Sequence, residues 1–184
     1  GKDSSPGFFE IRMVDLCSFE WDFRFQGGIM RSVSRFYVLF LCAFAIVSAA
    51  KADTDGYTYK AMLMTGDDSI NTFDNARHKI KTLLEGRGVE ANNIRMLSVN
   101  PDEAIGETLP TTLENMTTSL DKLGVRSSDA CLVHMTSHGS HDGFFYIKPN
   151  TKLTPAILNK MLEQTCGDQP TVVMVSACYS GVFA

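Results

Sequence analysis

The chain has no surplus of basic residues, no hydrophobic run of membrane-spanning length and few cysteines, and each shortage removes a class of function. Its 17 Lys and Arg are outnumbered by 21 Asp and Glu, for a net charge of -4. From Asp53 onward the balance is 11 against 16, or -5, with no basic cluster. Nucleic acid is therefore a poor partner, because affinity for a phosphate backbone rests on clustered Lys and Arg. The apolar stretch 36–47 falls short of the about 20 residues a spanning helix needs. Past residue 52 only Cys131, Cys166 and Cys178 remain. Asp67 and Asp68 have no second set of ligands near them in sequence, so they read as solvated loop acids, and no metal or organic cofactor is implied.

What the amino terminus does contain is an export pattern. Met30 opens a segment with Arg31 and Arg35, an apolar core over 36–47, and Ala50-Lys51-Ala52 as a small-x-small cleavage site. The expectation is a signal peptide at 30–52, an upstream non-native or disordered segment at 1–29, and a mature chain from Asp53 that is secreted or periplasmic. An uncleaved membrane anchor is the alternative. Once the signal is removed, no stable membrane span is expected.

The remaining 132 residues, 53–184, are one domain's worth or less. Short apolar runs at 59–64, 93–99, 131–135 and 172–175 read as strands covered on both faces. Helix patterns separate them. Residues 72–85 carry a stripe of Phe73, Ala76, Ile80, Leu83 and Leu84, which leaves Arg77 either on a solvated face or in a pocket. Thr111-Thr112-Leu113-Glu114 reads as a capping box for a helix through Leu123, closed by Gly124. Thr154-Pro155 opens a third helix with Ile157, Leu158, Met161 and Leu162 at helical spacing. Strand, helix, strand implies parallel crossovers, and hence an α/β domain.

Chemistry concentrates where two of these strands end. The run 131–135 leads into Ser137-His138-Gly139-Ser140, and 172–175 leads into Ser176-Ala177-Cys178-Tyr179-Ser180-Gly181, forty residues after His138. Taken alone, Cys178 reads as a small buried hydrophobe. Ligand sites in open parallel sheets lie beyond the carboxyl ends of the strands, and there the two motifs place an imidazole beside a thiol. A thiol needs such a partner to act as thiolate. Gly139 and Gly181 allow close backbone approach, and the N–H groups of Gly139 and Cys178 would hold an oxyanion. His141 is close enough along the loop to compete as base, whereas His134, inside a strand, reads as core. A short strand over 144–148 would put Asp142 and Gly143 at the rim.

Apolar block, Ser-His-Gly-Ser, helix, apolar block and Ala-Cys-Tyr-Ser-Gly resemble the legumain (asparaginyl endopeptidase) family of caspase-like cysteine peptidases. Asn75-Ala76-Arg77-His78 resembles that family's Asn-Tyr-Arg-His, and the likeness spans about residues 58–184 in the family's motif order. It implies a three-layer α/β/α fold of the caspase and hemoglobinase type, and an endopeptidase acting on protein or peptide substrates through a thioester. Cys178 would be the nucleophile and His138 the proton carrier, with Asn75 orienting His138. Arg77, together with His78 and Ser176, would line the pocket for the residue before the cleaved bond. Ser176 stands where the family has an acidic residue, so Asp joins Asn as an expected cleavage residue. The chain ends six residues past Cys178, short of the family's catalytic domain, so the domain is expected to be incomplete at its carboxyl end.

Two other functions fit the same residues. One is acyl transfer to an amine, as in a transpeptidase or transamidase. The other is a non-catalytic pseudopeptidase or binding fragment. Cys131 and Cys166 both fall at the amino-terminal edge of the sheet, where an oxidising compartment would pair them; two unpaired structural thiols are the favoured reading. Asn115-Met116-Thr117 is a glycosylation sequon.

Overall fold

A computed structural model describes residues 56–184 in full and the backbone of residues 9–13. The expected signal peptide lies outside the described residues. Six strands form one sheet in which every pairing is parallel. They are β1 (Phe9–Met13), β2 (Thr58–Thr65), β3 (Ile94–Ser98), β4 (Leu109–Pro110), β5 (Asp129–Thr136) and, last in the chain, β9 (Thr171–Ser176), in the order β1-β9-β5-β2-β3-β4. The α-helices are α1 (Thr72–Gly86), α2 (Leu113–Leu123) and α3 (Pro155–Thr165). Alternating strands and helices make this an α/β protein, as the pattern predicts. The sequence pattern assigned no strand to Phe9–Met13.

Side chains divide between the sheet faces with a period of two. On one face Ala61, Leu63, Ile94, Met96 and Leu132 cluster with Leu84 and Ile80 of α1. On the other, Met62, Met64, Val133, Met135, Val173 and Val175 cluster with apolar residues of α2 and α3. β5, at the centre, is buried along its whole length, which explains its nearly continuous apolar sequence.

The helices begin close to where their residues dictate. The hydroxyl of Thr112 accepts from Asn115 N–H (3.0 Å), so the cap is Thr112 rather than Thr111, and Gly124 closes α2 in the left-handed region. Thr154 accepts from Ile157 N–H (3.4 Å), with Pro155 in the first helical turn. In α1 the buried positions are Phe73, Asp74, Arg77 and Leu84, while Leu83 is exposed. The inward stripe therefore runs 73, 77, 80, 84, and the solvated-face reading of Arg77 is overturned. The sequon falls within the first turns of α2, with Asn115 Nδ2 donating to Pro110 O (2.8 Å) and Met116 fully buried.

Cys131, near the start of β5, is disulfide-bonded to Cys166, which caps α3. This corrects the favoured reading of two unpaired thiols. The parallel crossover brings the amino-terminal part of β5 against the carboxyl end of α3, the edge at which the sequence also places both cysteines.

A second, antiparallel sheet of β6 (Gly139–Ser140), β7 (Phe144–Ile147) and β8 (Thr151–Leu153) caps the carboxyl ends of the main strands. Lys148 N–H donates to Gly66 O (2.8 Å), Ser137 Oγ donates to Tyr146 O (2.7 Å) and Tyr146 N–H donates to His138 O (3.0 Å). Gly66 is needed at this junction, since a β-carbon there would fall 2.8 Å from Phe145 Cε1 and overlap Tyr146 O. No helix among the described residues is long and apolar enough to cross a membrane.

Candidate functional site

β5 and β9 stay in register up to Thr136 and Ser176, and Ser137 N–H donates to Ser176 O (3.2 Å) just beyond. His138 and Cys178 thus each lie two residues past a shared register pair, on adjacent parallel strands. The two loops touch through Gly139. A β-carbon at that position would overlap the carbonyl oxygen of Cys178, lie 3.0 Å from its carbonyl carbon and 3.2 Å from Ala177 Cβ. Only glycine permits this approach.

Cys178 is half-buried and flanked by buried Ala177. It is itself disulfide-bonded, so nucleophilic chemistry at its sulfur belongs to the reduced chain. Immediately after it the chain turns sharply. Tyr179 has φ 58° and ψ 24°, the only non-glycine residue with positive φ among the described residues. An aromatic residue held there costs on the order of 1 kcal/mol, and strain of this kind gathers at functional sites. The turn leads into a 3₁₀ segment, Ser180–Phe183, anchored by buried Ser180 and Phe183. Gly181, unlike Gly139, has open space where a β-carbon would go.

The His138 side chain is 56% exposed and rests against the connection between β2 and α1. Its Nε2 lies 3.4 Å from Ser69 Oγ and 4.0 Å from Asp67 Oδ1, and the Phe73 ring meets the imidazole edge-on at 5.2 Å. Asp67 is 2% exposed, which overturns its reading as a solvated loop acid. Its charge is held by Ser69 N–H (2.7 Å) and Lys148 Nζ (3.5 Å). Burial alone would raise the pKa of Asp67, but the Ser69 hydrogen bonds and the charges of Lys148 and His138 bring it below the usual carboxylate value. Lys148 also pairs with the partly exposed Asp68 (2.6 Å), and that hydrogen bond raises its own pKa. His141, exposed, pairs instead with Asp142 (2.9 Å) and lies beside the Tyr179 ring (6.2 Å).

The other expected pocket residues lie elsewhere on α1. Asn75 is exposed, and no hydrogen bond joins its side chain to His138 among the described residues. Arg77 is completely buried, with Nη2 on Asp74 Oδ1 (3.0 Å) and Glu103 Oε2 (2.8 Å). Asp74 in turn accepts from Thr65 Oγ1 (3.2 Å) and Ser98 Oγ (3.0 Å), which ties α1 to the ends of β2 and β3. His78, half-exposed, contacts the same Glu103 oxygen (2.7 Å). The hydrogen bond from His78, its charge and that of Arg77 outweigh partial burial and hold Glu103 below its ordinary pKa. Nε and Nη1 of Arg77 are buried without a partner among the described residues. Ser176 is buried at the end of β9 and accepts from Ser137 through its backbone, not from Arg77.

The structure thus brings together His138, Gly139, Ser176 and Cys178, and separately Arg77 and His78. Asp67, Ser69 and Lys148 were missed as parts of the His138 environment. A signal for Asp67 was present: it follows Gly66 at the carboxyl end of a strand, at the same level as His138. No group of three or more His, Cys, Asp or Glu residues able to hold a metal occurs among the described residues. No protein-family model matches the chain, and no curated protein matches it.

Proposed function

We propose that this chain is a cysteine endopeptidase of the legumain type, built on a three-layer α/β/α fold of the caspase and hemoglobinase kind, that cleaves peptide bonds after Asn or Asp. The observation that carries the reading is the packing of Gly139 against the Cys178 carbonyl, which joins the His138 loop to the Cys178 turn at the carboxyl ends of two adjacent parallel strands.

In the reduced chain His138 takes the Cys178 thiol proton, and the thiolate attacks the scissile carbonyl carbon. The carbonyl oxygen becomes an oxyanion facing the N–H groups of Gly139 and Cys178. Collapse breaks the C–N bond, the imidazolium gives its proton to the departing amine, and a thioester remains on Cys178. A water molecule, deprotonated by His138, hydrolyses the thioester and regenerates the thiol. Arg77 is completely buried on Asp74 and Glu103, apart from Ser176, so selection of Asn or Asp before the cleaved bond rests on the likeness of Asn75-Ala76-Arg77-His78 to the legumain motif. The Cys131–Cys166 disulfide supports an oxidising compartment, in keeping with export.

The test is cleavage of fluorogenic peptides carrying Asn or Asp before the reporter, with the chain held in mild reductant. Cys178→Ala and His138→Ala are each expected to lower turnover by at least about a thousandfold. Undiminished turnover in either variant removes that residue from the mechanism.

A further inference from the structure

Three adjacent parallel strands end at one level. β2 and β5 are in register up to Thr65 and Thr136, and β5 and β9 up to Thr136 and Ser176. Asp67, His138 and Cys178 each stand two residues past this line, in that spatial order. His138 is therefore flanked by the sulfur-bearing turn on one side and by a buried carboxylate on the other.

Asp67 has what a positioning group needs. Its Oδ1 is fixed by Ser69 N–H (2.7 Å) and faces His138 Nε2 at 4.0 Å. That separation is an ion-pair distance rather than a hydrogen bond, and Ser69 Oγ, 3.4 Å from the same nitrogen, fills the nearer position. Phe73 restrains the ring from its edge. Asp67, Ser69 and Phe73 all belong to the connection between β2 and α1 and the first turn of that helix. The other charges nearby are Lys148, which lies 3.5 Å from the second oxygen of Asp67, Oδ2, and pairs more closely with Asp68 (2.6 Å), and His141 and Asp142, which pair with each other.

We propose that Asp67, acting with Ser69, is the residue that positions His138. It holds the proton on Nε2 and stabilises the imidazolium that forms when Nδ1 takes the proton of the reduced thiol. Asn75, exposed on α1, does not do so. The role in turnover rests on the peptidase reading, whereas the control of the ring's tautomer does not.

The experiment is a long-range ¹⁵N–¹H correlation spectrum of His138 in the reduced 184-residue chain, with kcat and KM for peptide cleavage measured in parallel. The wild type is expected to show the Nε2–H tautomer. Asp67→Asn is expected to move the population toward Nδ1–H and to lower kcat by about ten- to a hundredfold, with KM changed by less than about twofold. Ser69→Ala, at an exposed position that does not endanger folding, moves the tautomer the same way to a smaller extent, so the proposal stays open to refutation if Asp67→Asn fails to fold. A tautomer that shifts in Asp67→Asn while no peptide is cleaved by any form leaves the positioning intact and defeats the peptidase reading. An Nδ1–H tautomer in the wild type overturns the proposal. So does a tautomer indifferent to both substitutions, or one lost in Asn75→Ala alone.

Discussion

Gly139 meets the carbonyl of Cys178 so closely that no β-carbon fits between them. This contact fixes the loop after β5 to the turn after β9, and with them the two groups on which the proposed chemistry depends.

Gly139→Ala is accordingly expected to force the two loops apart. The overlap involves backbone, which cannot swing away like a side-chain tip, so a loss of about 1–3 kcal/mol in unfolding free energy is expected. Gly181→Ala serves as the control, because its β-carbon would enter open space. Urea unfolding of both variants checks the contrast; equal stability of the two would mean the loops do not pack as described.

His134 lies inside β5, 3% exposed, with Nδ1 unpartnered among the described residues, and burial lowers its pKa from 6.5 to about 4. Between these values the unfolded chain binds more protons than the folded one, so stability falls as pH drops through that window. The full effect is on the order of 3 kcal/mol. Asp67 and Glu103, whose folded pKa values are lowered from 3.8 and 4.5, add their losses as pH falls past those ordinary values, so Glu103 joins at the acid end of the window and Asp67 below it. Unfolding measured from pH 7 to 4 should show this slope, and His134→Leu should flatten it.

The Cys131–Cys166 bridge closes a loop of 35 residues. Chain entropy assigns such a loop about 3–4 kcal/mol. Replacing both cysteines by Ala is expected to lower the unfolding free energy by about that amount, and peptide mapping without reductant should find neither thiol alkylated. Alkylation of both would remove the bridge from the account.

Asp74 holds buried Arg77 to the ends of β2 and β3. Asp74→Asn leaves a guanidinium with only Glu103 and His78 beside it, at an expected cost of about 3 kcal/mol. Glu103→Gln, acting on the more exposed partner, should cost about 1 kcal/mol or less. A thermal-melt series reads both, and the reverse ranking would place the main anchor of Arg77 in the loop after β3.

Much of the scaffold was legible because its signals are local. Apolar runs with strand length, the Thr154-Pro155 start and the Gly124 stop place β5, β9, α2 and α3 to within a residue or two. The meeting of the loops that carry His138 and Cys178 was legible too, since parallel crossovers bring strand ends to one level. What the sequence hid depends on neighbours distant in the chain. Asp67 is tied to Lys148, far along the chain, and the Asp74 that holds Arg77 is itself held by Ser98 at the end of β3. The shared sheet edge of Cys131 and Cys166 was legible, but not that the two are bonded, since the same placement fits two free thiols.

The most direct test of the account is labelling of the reduced chain by a peptidyl acyloxymethyl ketone ending in Asn or Asp, read by mass spectrometry. The account predicts one adduct, on Cys178, formed at least about a hundredfold more slowly in His138→Ala. Labelling that is equally fast without His138, or that falls mainly on Cys131 or Cys166, would contradict it.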